Sequence, residues 1–337
     1  MYGNLHTFVQ ILAVQARLAT DAVLVTGAAG FAGRHLLGLL DQDRVPLVAW
    51  RRPDGRPAPP TGRARWIDVD MLDRDAVARA LADTQPREIY HCAGAAHVGD
   101  SWNAVTGTLA SNVLATHHLL TALRELGLPS RVLVPGSAMV YRPRDHALDE
   151  DAPIGPTSPY GISKLAQEQL GLLAWTEERR EVVLTRSFNH IGPGQDPSFS
   201  ASGFARQIAL IEAGLADPVL SVGNLEPRRD LTDVRDTARA YRLLMARGRP
   251  GVVYNVCSGH AYPMREVLDQ LLALSRVPID VRVDPSRYRP NDSPIILGRS
   301  DRLTKETGWT PAWSLPRTLA DILEYWRQQL RARSHQT

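Results

Sequence analysis

The sequence predicts an α/β protein: a doubly wound parallel sheet followed by a smaller C-terminal α/β domain. Three features predict it. Short apolar runs alternate with helix-period patterns from Ala22 to about Arg186, the order that builds parallel strands joined by crossover helices. The first of these runs passes straight into a glycine-rich turn and then a helix. Beyond Arg186 the elements become short and separate, which marks a change of architecture.

A chain of 337 residues with 44% hydrophobic residues can bury a sizeable core, in one large or two modest domains. The net charge of +3 is mild and the arginines are scattered, so no nucleic-acid surface is called for, although short arginine clusters suit a phosphorylated small molecule. Cys92 and Cys257 stand far apart and make neither a metal spacing nor a disulfide framework. They read as buried small hydrophobes in a reducing, cytoplasmic compartment. No apolar run approaches the roughly 18 to 20 residues of a membrane span. Residues 1–21 read as an N-terminal extension, a short helix or an over-long start. The apolar stretch Phe8 to Val14 lacks a basic leader and a cleavage site, so no secretory signal is expected.

Ala22 to Thr26 is the first strand, Gly27 to Gly33 the turn, and Leu36-Leu37 with Leu39-Leu40 the helix behind it. Glycines allow the tight turn and let backbone N–H groups approach a pyrophosphate at the helix N-terminus, whose dipole favours an anion. The next strand, Val45 to Trp50, ends in Arg51-Arg52, where an acidic residue would hold ribose hydroxyls. Arginine there suits a 2′-phosphate and favours NADP over NAD; the other reading is a solvated pair opening the Pro-rich loop Pro53 to Thr61. Trp66 to Asp70 is a third strand, and Asp70-Met71 with Asp73 lies where a side chain and an amide could receive adenine. A helix from Arg74 to Ala82 follows. Glu88 to Val98 is a strand breaking into the small-residue turn Ala93-Gly94-Ala95-Ala96, against which a cofactor can lie or which simply packs closely.

Ser111 opens a long helix to about Leu126, in which Asn112 bonds locally or serves a site. Arg131 to Ser137 is a strand ending in a small hydroxyl, and Tyr141 to Ser158 is a polar, Pro-rich loop long enough to border a site. Tyr160 and Lys164 then lie four apart on the first turns of a helix, on one face. An ammonium beside a phenol favours the phenolate, so Tyr160 is expected to titrate below about 10 and trade a proton with a substrate oxygen that Ser137 also holds. The competing reading is a chance pair on a surface helix.

The remainder reads as a strand Val182 to Arg186, a loop Ser187 to Gln195, a helix Phe204 to Ala213 and a strand Val219 to Val222. The charged stretch Glu226 to Asp236 leads into a helix ending near Ala246. A strand Val252 to Val256, a helix Met264 to Arg276, a loop Asp284 to Pro294 and a terminal helix from Leu315 to about Arg331 complete the chain.

Together, Thr26 to Gly33, His91 to Ala95, Asn112, Ser137 and Tyr160 with Lys164 resemble the extended short-chain dehydrogenase/reductase family of nucleotide-sugar enzymes, over about Ala22 to Gln328. Arg186 to Gln195, Gly223 to Asp236 and Arg289 to Asp292 closely resemble its GDP-mannose branch. The resemblance implies a Rossmann domain carrying NAD(P), mainly residues 22–186. It also implies a substrate domain, mainly residues 187–337, with segments that return to the first. Cofactor contacts are implied for Gly27, Gly30, Phe31, Ala32 and Gly33 in the turn, and for Arg51, Arg52, Asp70 and Met71. Ala93, Gly94, Ala95, Asn112, Tyr160, Lys164 and His190 complete the implied set.

Substrate contacts are implied for His97, Ser137, Tyr160, Asn189, Arg206 and Asn224, and for Arg229, Arg289 and Asp292, with no metal. Arg229 and Arg289 can neutralise a diphosphate by forked hydrogen bonds, Asn189 can donate to it and Asp292 can accept from ribose hydroxyls. A surface salt-bridge ladder is the competing reading of Arg228 to Asp236. Ser137, Tyr160 and Lys164 would act at carbon 4 of the sugar, with Lys164 also binding the nicotinamide ribose.

Within this family the residues after Ser137 separate the chemistries. Dehydratases carry an acidic residue immediately before the position of Val140; here Ala138 and Met139 can move no proton, which leaves reduction or epimerisation at a carbonyl carbon. The implied activity is reduction of the 4-keto group of GDP-4-keto-6-deoxy-D-mannose to GDP-6-deoxy-D-mannose (GDP-D-rhamnose) with NADPH, or with NAD as the possible cofactor. Alternatives are a 4-epimerase that retains NAD, a 4,6-dehydratase disfavoured by Ala138 and Met139, and a catalytically silent nucleotide-binding scaffold. A homodimer through the helices beginning near Asn112 and Tyr160 is also implied. The stripes Leu114 with Leu119-Leu120, and Leu165 with Leu170 and Leu172-Leu173, suit that interface or the core equally.

Overall fold

The computed structural model describes residues 20–55, 62–288 and 293–334. Arg289, Asp292, most of the expected N-terminal extension and most of the Pro-rich loop lie outside the described residues. Seven parallel strands form the main sheet. They are β1 (Thr20–Thr26), β2 (Leu47–Arg51), β3 (Arg65–Asp68), β4 (Pro86–His91), β5 (Arg131–Ser137), β6 (Val182–Ser187) and, from much later in the chain, β10 (Val253–Val256). Their order is β10-β6-β5-β4-β1-β2-β3, a Rossmann-like arrangement. The chain runs outward in one direction from β1 and in the other from β4, so a crevice opens at the carboxyl ends of these two neighbours.

Both faces of the sheet are covered, which is why inner strands such as β1 and β6 are buried along nearly their whole length rather than on alternate residues. Val23 and Val25 of β1 pack with Leu36, Leu37 and Leu40 of α1 (Phe31–Leu40) on one side. Ala22 and Leu24 pack on the other side with Val77 and Leu81 of α2 (Arg74–Thr84). The helical segment expected from Ser111 begins earlier, as α3 (Val105–Leu109), a π-helical turn over Ala110–Leu114 and α4 (Ala115–Glu125). Next comes α5 (Pro159–Glu178), with Ser158 accepting the Gly161 amide and Pro159 in the first turn, both good helix openers.

The second half forms a small sheet of β7 (Asn189–Ile191), β9 (Arg228–Asp233), β11 (Ala261–Pro263) and β13 (Ile295–Ile296), and a separate parallel pair, β8 (Val219–Val222) with β12 (Asp280–Val283). Its helices are α6 (Ser200–Glu212), α7 (Val234–Arg247), α8 (Met264–Ala273), α9 (Asp301–Thr307) and α10 (Leu315–Ser334). Ile208, Leu220, Leu268, Leu319 and Ile322 make its core, whereas α7 packs with the main sheet through Ala238, Tyr241 and Leu244.

The stretch Glu226 to Asp236 contains a strand that its charges conceal. Asp230 of β9 is fully buried and accepts from the amides of Ser258, Gly259 and Gly298 and from the Ser258 hydroxyl. The salt-bridge ladder is there in part, since Arg235 pairs with Asp233 and Asp321 and Arg239 with Asp236, but the carboxylates of Asp233 and Asp236 are buried: Asp233 also caps α7, and Asp236 accepts the Ala312 and Trp313 amides. These carboxylates anchor the chain internally. The apolar stripes divide between core and surface, with Leu119 and Leu120 buried and Leu114 and Leu173 exposed. Among the described residues no helix is long and apolar enough to cross a membrane.

Candidate active site

A cleft of about 370 Å³ opens at the crevice between β1 and β4. One wall is the turn after β1, with Gly27, Ala29, Gly30 and Phe31, and another is the end of β4, with Cys92, Ala93, Gly94, Ala96 and His97. Gly27 takes a positive φ of +62°, and a Cβ there would stand 2.6 Å from the Ala93 amide nitrogen, so only glycine lets the two turns meet. A Cβ on Gly33 would reach 2.4 Å from the Gly27 carbonyl oxygen, so this residue sets helix against turn. No side chain caps the N-terminus of α1 at Gly30, which leaves its first amides and dipole for an anion.

Arg51, Arg52, Asp70 and Met71 line the far end of the cleft. The two arginines differ. Arg51 is the last residue of β2, and its Nε donates to Asp68 at 2.6 Å; Arg52 is exposed and has no such partner among the described residues. The carboxylate of Asp70 takes the Leu72 amide, so part of its accepting capacity is used locally. Trp50, Asp196 and Phe199 also line the cleft, and sequence reasoning missed them. Asp196 and Phe199 reach it from the loop after β7, where no motif marked them; the Phe199 ring lies tilted against His97 with centroids 4.5 Å apart. The donor set fits an anionic dinucleotide: helix amides for a diphosphate, an available guanidinium for a further phosphate and small residues between them.

Of the implied cofactor residues, Ala32, Gly33, Ala95, Asn112, Tyr160, Lys164 and His190 do not line that cleft, and several of them support those that do. Asn112, in the π turn, accepts the Ala95 amide at 2.8 Å and donates to the Ala95 carbonyl and, at 2.8 Å, to the Ser163 hydroxyl. Its amide therefore ties the Gly94 turn to α5. His190 stacks on Phe31 with centroids 5.7 Å apart, and His35 Nε2 donates to the Pro193 carbonyl at 2.8 Å, joining α1 to the loop after β7.

Ser137 ends β5 and Tyr160 opens α5, and the two hydroxyls are hydrogen-bonded. Gly161 makes the approach possible, since a Cβ there would lie 2.4 Å from the Met139 carbonyl oxygen. The turn between them carries Ala138 and Met139, neither of which titrates. Lys164 Nζ donates to the Pro135 carbonyl at 2.8 Å and to Gln167 Oε1 at 2.7 Å. The expected depression of the Tyr160 pKa is corrected by this geometry. Burial pushes the phenol above its ordinary value, and the opposing pull is the Ser137 hydrogen bond. Burial brings Lys164 itself down to about 8.

The implied substrate residues spread over the second half. Asn189 and Arg229 lie on the paired strands β7 and β9, with Arg229 buried and donating to the Arg228 carbonyl. Asn224 follows β8 and accepts the Glu226 amide, and the Arg206 guanidinium on α6 lies 5.8 Å from the Trp326 ring. Among the described residues no cluster of three metal-ligating side chains occurs.

The chain is similar to the GDP-6-deoxy-D-mannose reductase of Pseudomonas aeruginosa, 34% identical over 93% of this chain and 99% of the relative. It is 27% identical to the UDP-glucose 4-epimerase of Bacillus subtilis, over 91% of this chain and 96% of that one. Among solved structures, that of RMD from Pseudomonas aeruginosa complexed with NADPH superposes with a TM-score of 0.81 at 33% identity, covering 92% of this chain and all of the other. A family model spans residues 23–257, from β1 through the whole cleft to the end of β10. The uncapped glycine turn, the Ser137–Tyr160 pair and these likenesses agree: the chain belongs to the NAD dependent epimerase/dehydratase family, the extended short-chain dehydrogenases/reductases.

Proposed function

We propose that this protein reduces the 4-keto group of GDP-4-keto-6-deoxy-D-mannose to give GDP-6-deoxy-D-mannose (GDP-D-rhamnose), using NADPH. The observation that carries the reading is a protonated, buried Tyr160 bonded to Ser137 beside a turn whose Ala138 and Met139 can move no proton. Such a site can deliver one proton to a carbonyl oxygen and lacks the extra acid and base that water elimination needs. Likeness to the Pseudomonas reductase narrows the substrate to a GDP sugar.

Residues 22–186 would mainly bind the cofactor and 187–337 the nucleotide sugar. The first amides of α1, from Phe31 onward, would face the pyrophosphate, Arg52 the 2′-phosphate, and Asp70 with Met71 the adenine. When bound, NADPH supplies the hydride for carbon 4 of the sugar. Ser137 holds the carbonyl oxygen, Tyr160 protonates it as the alcohol forms, and Lys164 holds the nicotinamide ribose. Asn189, Arg229 and Arg289 would grip the diphosphate and Asp292 the ribose hydroxyls, with Arg206, Asn224 and His97 around the rest of the substrate. We also propose a cytoplasmic homodimer. Supporting it, Trp102, Val105, Leu114, Ile162 and Leu173 are all exposed on the mutually packed segments around α3 and α5.

The test is to mix the purified protein with the keto sugar and NADPH and follow cofactor absorbance and the product sugar. Consumption of NADPH with formation of a 6-deoxyhexose supports the reading. No consumption of NADPH or NADH overturns it, and a cofactor that copurifies and is never consumed points to the epimerase reading.

A further inference from the structure

Behind Lys164 the hydrogen bonds run inward, and their direction can be assigned atom by atom. An ammonium only donates, so Gln167 presents its carbonyl oxygen to Lys164 and its Nε2 amide to Thr116 Oγ1, at 2.8 Å. Thr116 gives its one proton to the Asn112 carbonyl at 2.7 Å, so towards His91 it can only accept. His91 Nε2, 3.0 Å from Thr116 Oγ1, therefore carries the ring proton. His91 Nδ1 is the bare nitrogen and accepts the Thr26 hydroxyl at 2.9 Å; Thr26 Oγ1 in turn accepts the Ala93 amide at 3.2 Å. Thr26, Thr116 and Gln167 are fully buried and His91 nearly so. Reversing one link would set two donors or two acceptors face to face where no water can intervene, so the links support one another. Burial holds the His91 imidazole down to about 3, so it stays neutral and keeps this tautomer at neutral pH.

We propose that Gln167, held in orientation by Thr116 and His91, is a positioning residue for Lys164, and that this one-way chain ties the lysine to the Ala93 turn of the cofactor cleft. The proposal rests on the reductase reading above. Of the three protons on Lys164 Nζ, two are committed to Pro135 and Gln167, which leaves one for a bound ligand. A Gln167 amide turned the other way would repel the ammonium and release it from that direction. Gln167 does not line the cleft, and its side-chain hydrogen bonds among the described residues go to Lys164 and Thr116, so its effect reaches the site through Lys164.

Thr116→Val keeps the side-chain shape and deletes the hydroxyl that orients Gln167 and His91, whereas Thr116→Ser keeps it. With rates counted per NADPH-binding site, so that unfolded chain is excluded, Thr116→Val should lower kcat about tenfold with less than about a twofold change in KM for the keto sugar. Thr116→Ser should restore most of the rate. Gln167→Glu sets a carboxylate against the ammonium, raises the Lys164 pKa and should move the alkaline limb of kcat/KM to higher pH. The titratable groups facing Lys164 are Tyr160 on its own helix, His91 and Cys92 at the end of β4, and His190 on β7. Burial lowers both histidines and pushes Cys92 up to about 12 and Tyr160 above its ordinary value, so a limb near 8 belongs to Lys164. Nitrogen NMR of histidine-labelled protein should show His91 as the Nε2–H tautomer. An Nδ1–H tautomer overturns the assigned direction, and wild-type kcat per site in Thr116→Val overturns the positioning role. If the wild-type protein itself does not turn over the keto sugar, the reductase reading falls, while the tautomer still reports on the chain.

Discussion

The Ser137 hydroxyl is hydrogen-bonded to the Tyr160 phenol in a setting where burial keeps that phenol protonated. A phenol that stays protonated until a carbonyl oxygen arrives is suited to donate, and the developing alkoxide is what would draw the proton off. Tyr160→Phe should therefore lower kcat by at least about 100-fold, and Ser137→Ala by about tenfold or more, with NADPH affinity, measured by fluorescence titration, changing little. Turnover by Tyr160→Phe near the wild-type rate would remove Tyr160 from the chemistry.

Asp68 competes with any cofactor phosphate for Arg51, since the Arg51–Asp68 bond is 2.6 Å long and stands at the rim of the cleft. Asp68→Asn should free that guanidinium and raise the kcat/KM preference for NADPH over NADH by several-fold. Arg52→Ala should act oppositely, raising KM for NADPH about tenfold with little change for NADH, in line with the loss of one charged hydrogen bond. Steady-state kinetics with both cofactors checks the pair, and equal effects on NADH and NADPH would show that neither arginine reads the 2′-phosphate.

Three imidazoles, the buried His91 and the half-buried His35 and His190, have pKa values lowered from 6.5, chiefly by desolvation. Below that pH the unfolded chain takes up protons that the native state refuses, so these groups make stability fall as the solution is acidified. Each contributes up to about 1.4 kcal/mol per pH unit, and His91 continues to do so down to about 3. Urea unfolding between pH 7.5 and 5 measures the slope, and His91→Asn should reduce it by up to one proton's worth. A slope that His91→Asn leaves unchanged would mean that His91 is protonated in the native state.

The side chains of Glu168 and Arg186 form a buried pair, 2% and 7% exposed, that joins α5 to β6 beneath the active site. Arg186 also donates to the Glu150 carbonyl at 3.0 Å and lies 4.8 Å from the Tyr141 ring, so one guanidinium ties α5 and β6 to the Tyr141–Ser158 loop. Glu168→Gln would strand that charge and should cost about 3–5 kcal/mol in urea unfolding. A cost below about 1 kcal/mol would show that Arg186 finds another partner.

Glycine turn, parallel strands and the Ser137, Tyr160 and Lys164 triplet were legible because each depends on neighbours along the chain. Strand periodicity, backbone freedom at Gly27 and the four-residue repeat of a helix are local properties, and together they settle family and fold class. β9 was not legible, because its arginines and aspartates read as a solvated stretch until the amides of Ser258, Gly259 and Gly298 converge on Asp230. Asp196 and Phe199 were missed for the same reason: their place in the cleft depends on how the loop after β7 folds back.

By itself, then, the sequence determined which chemistry-bearing residues this protein has and the strands and helices that carry them. Tertiary structure alone decided their electrostatic state. Burial raises the Tyr160 pKa where spacing suggested a fall, Asp68 claims Arg51, and Pro135 and Gln167 rather than the phenol accept hydrogen bonds from Lys164. Charge states and hydrogen-bond directions depend on desolvation and on partners brought from distant segments, and no local pattern records either.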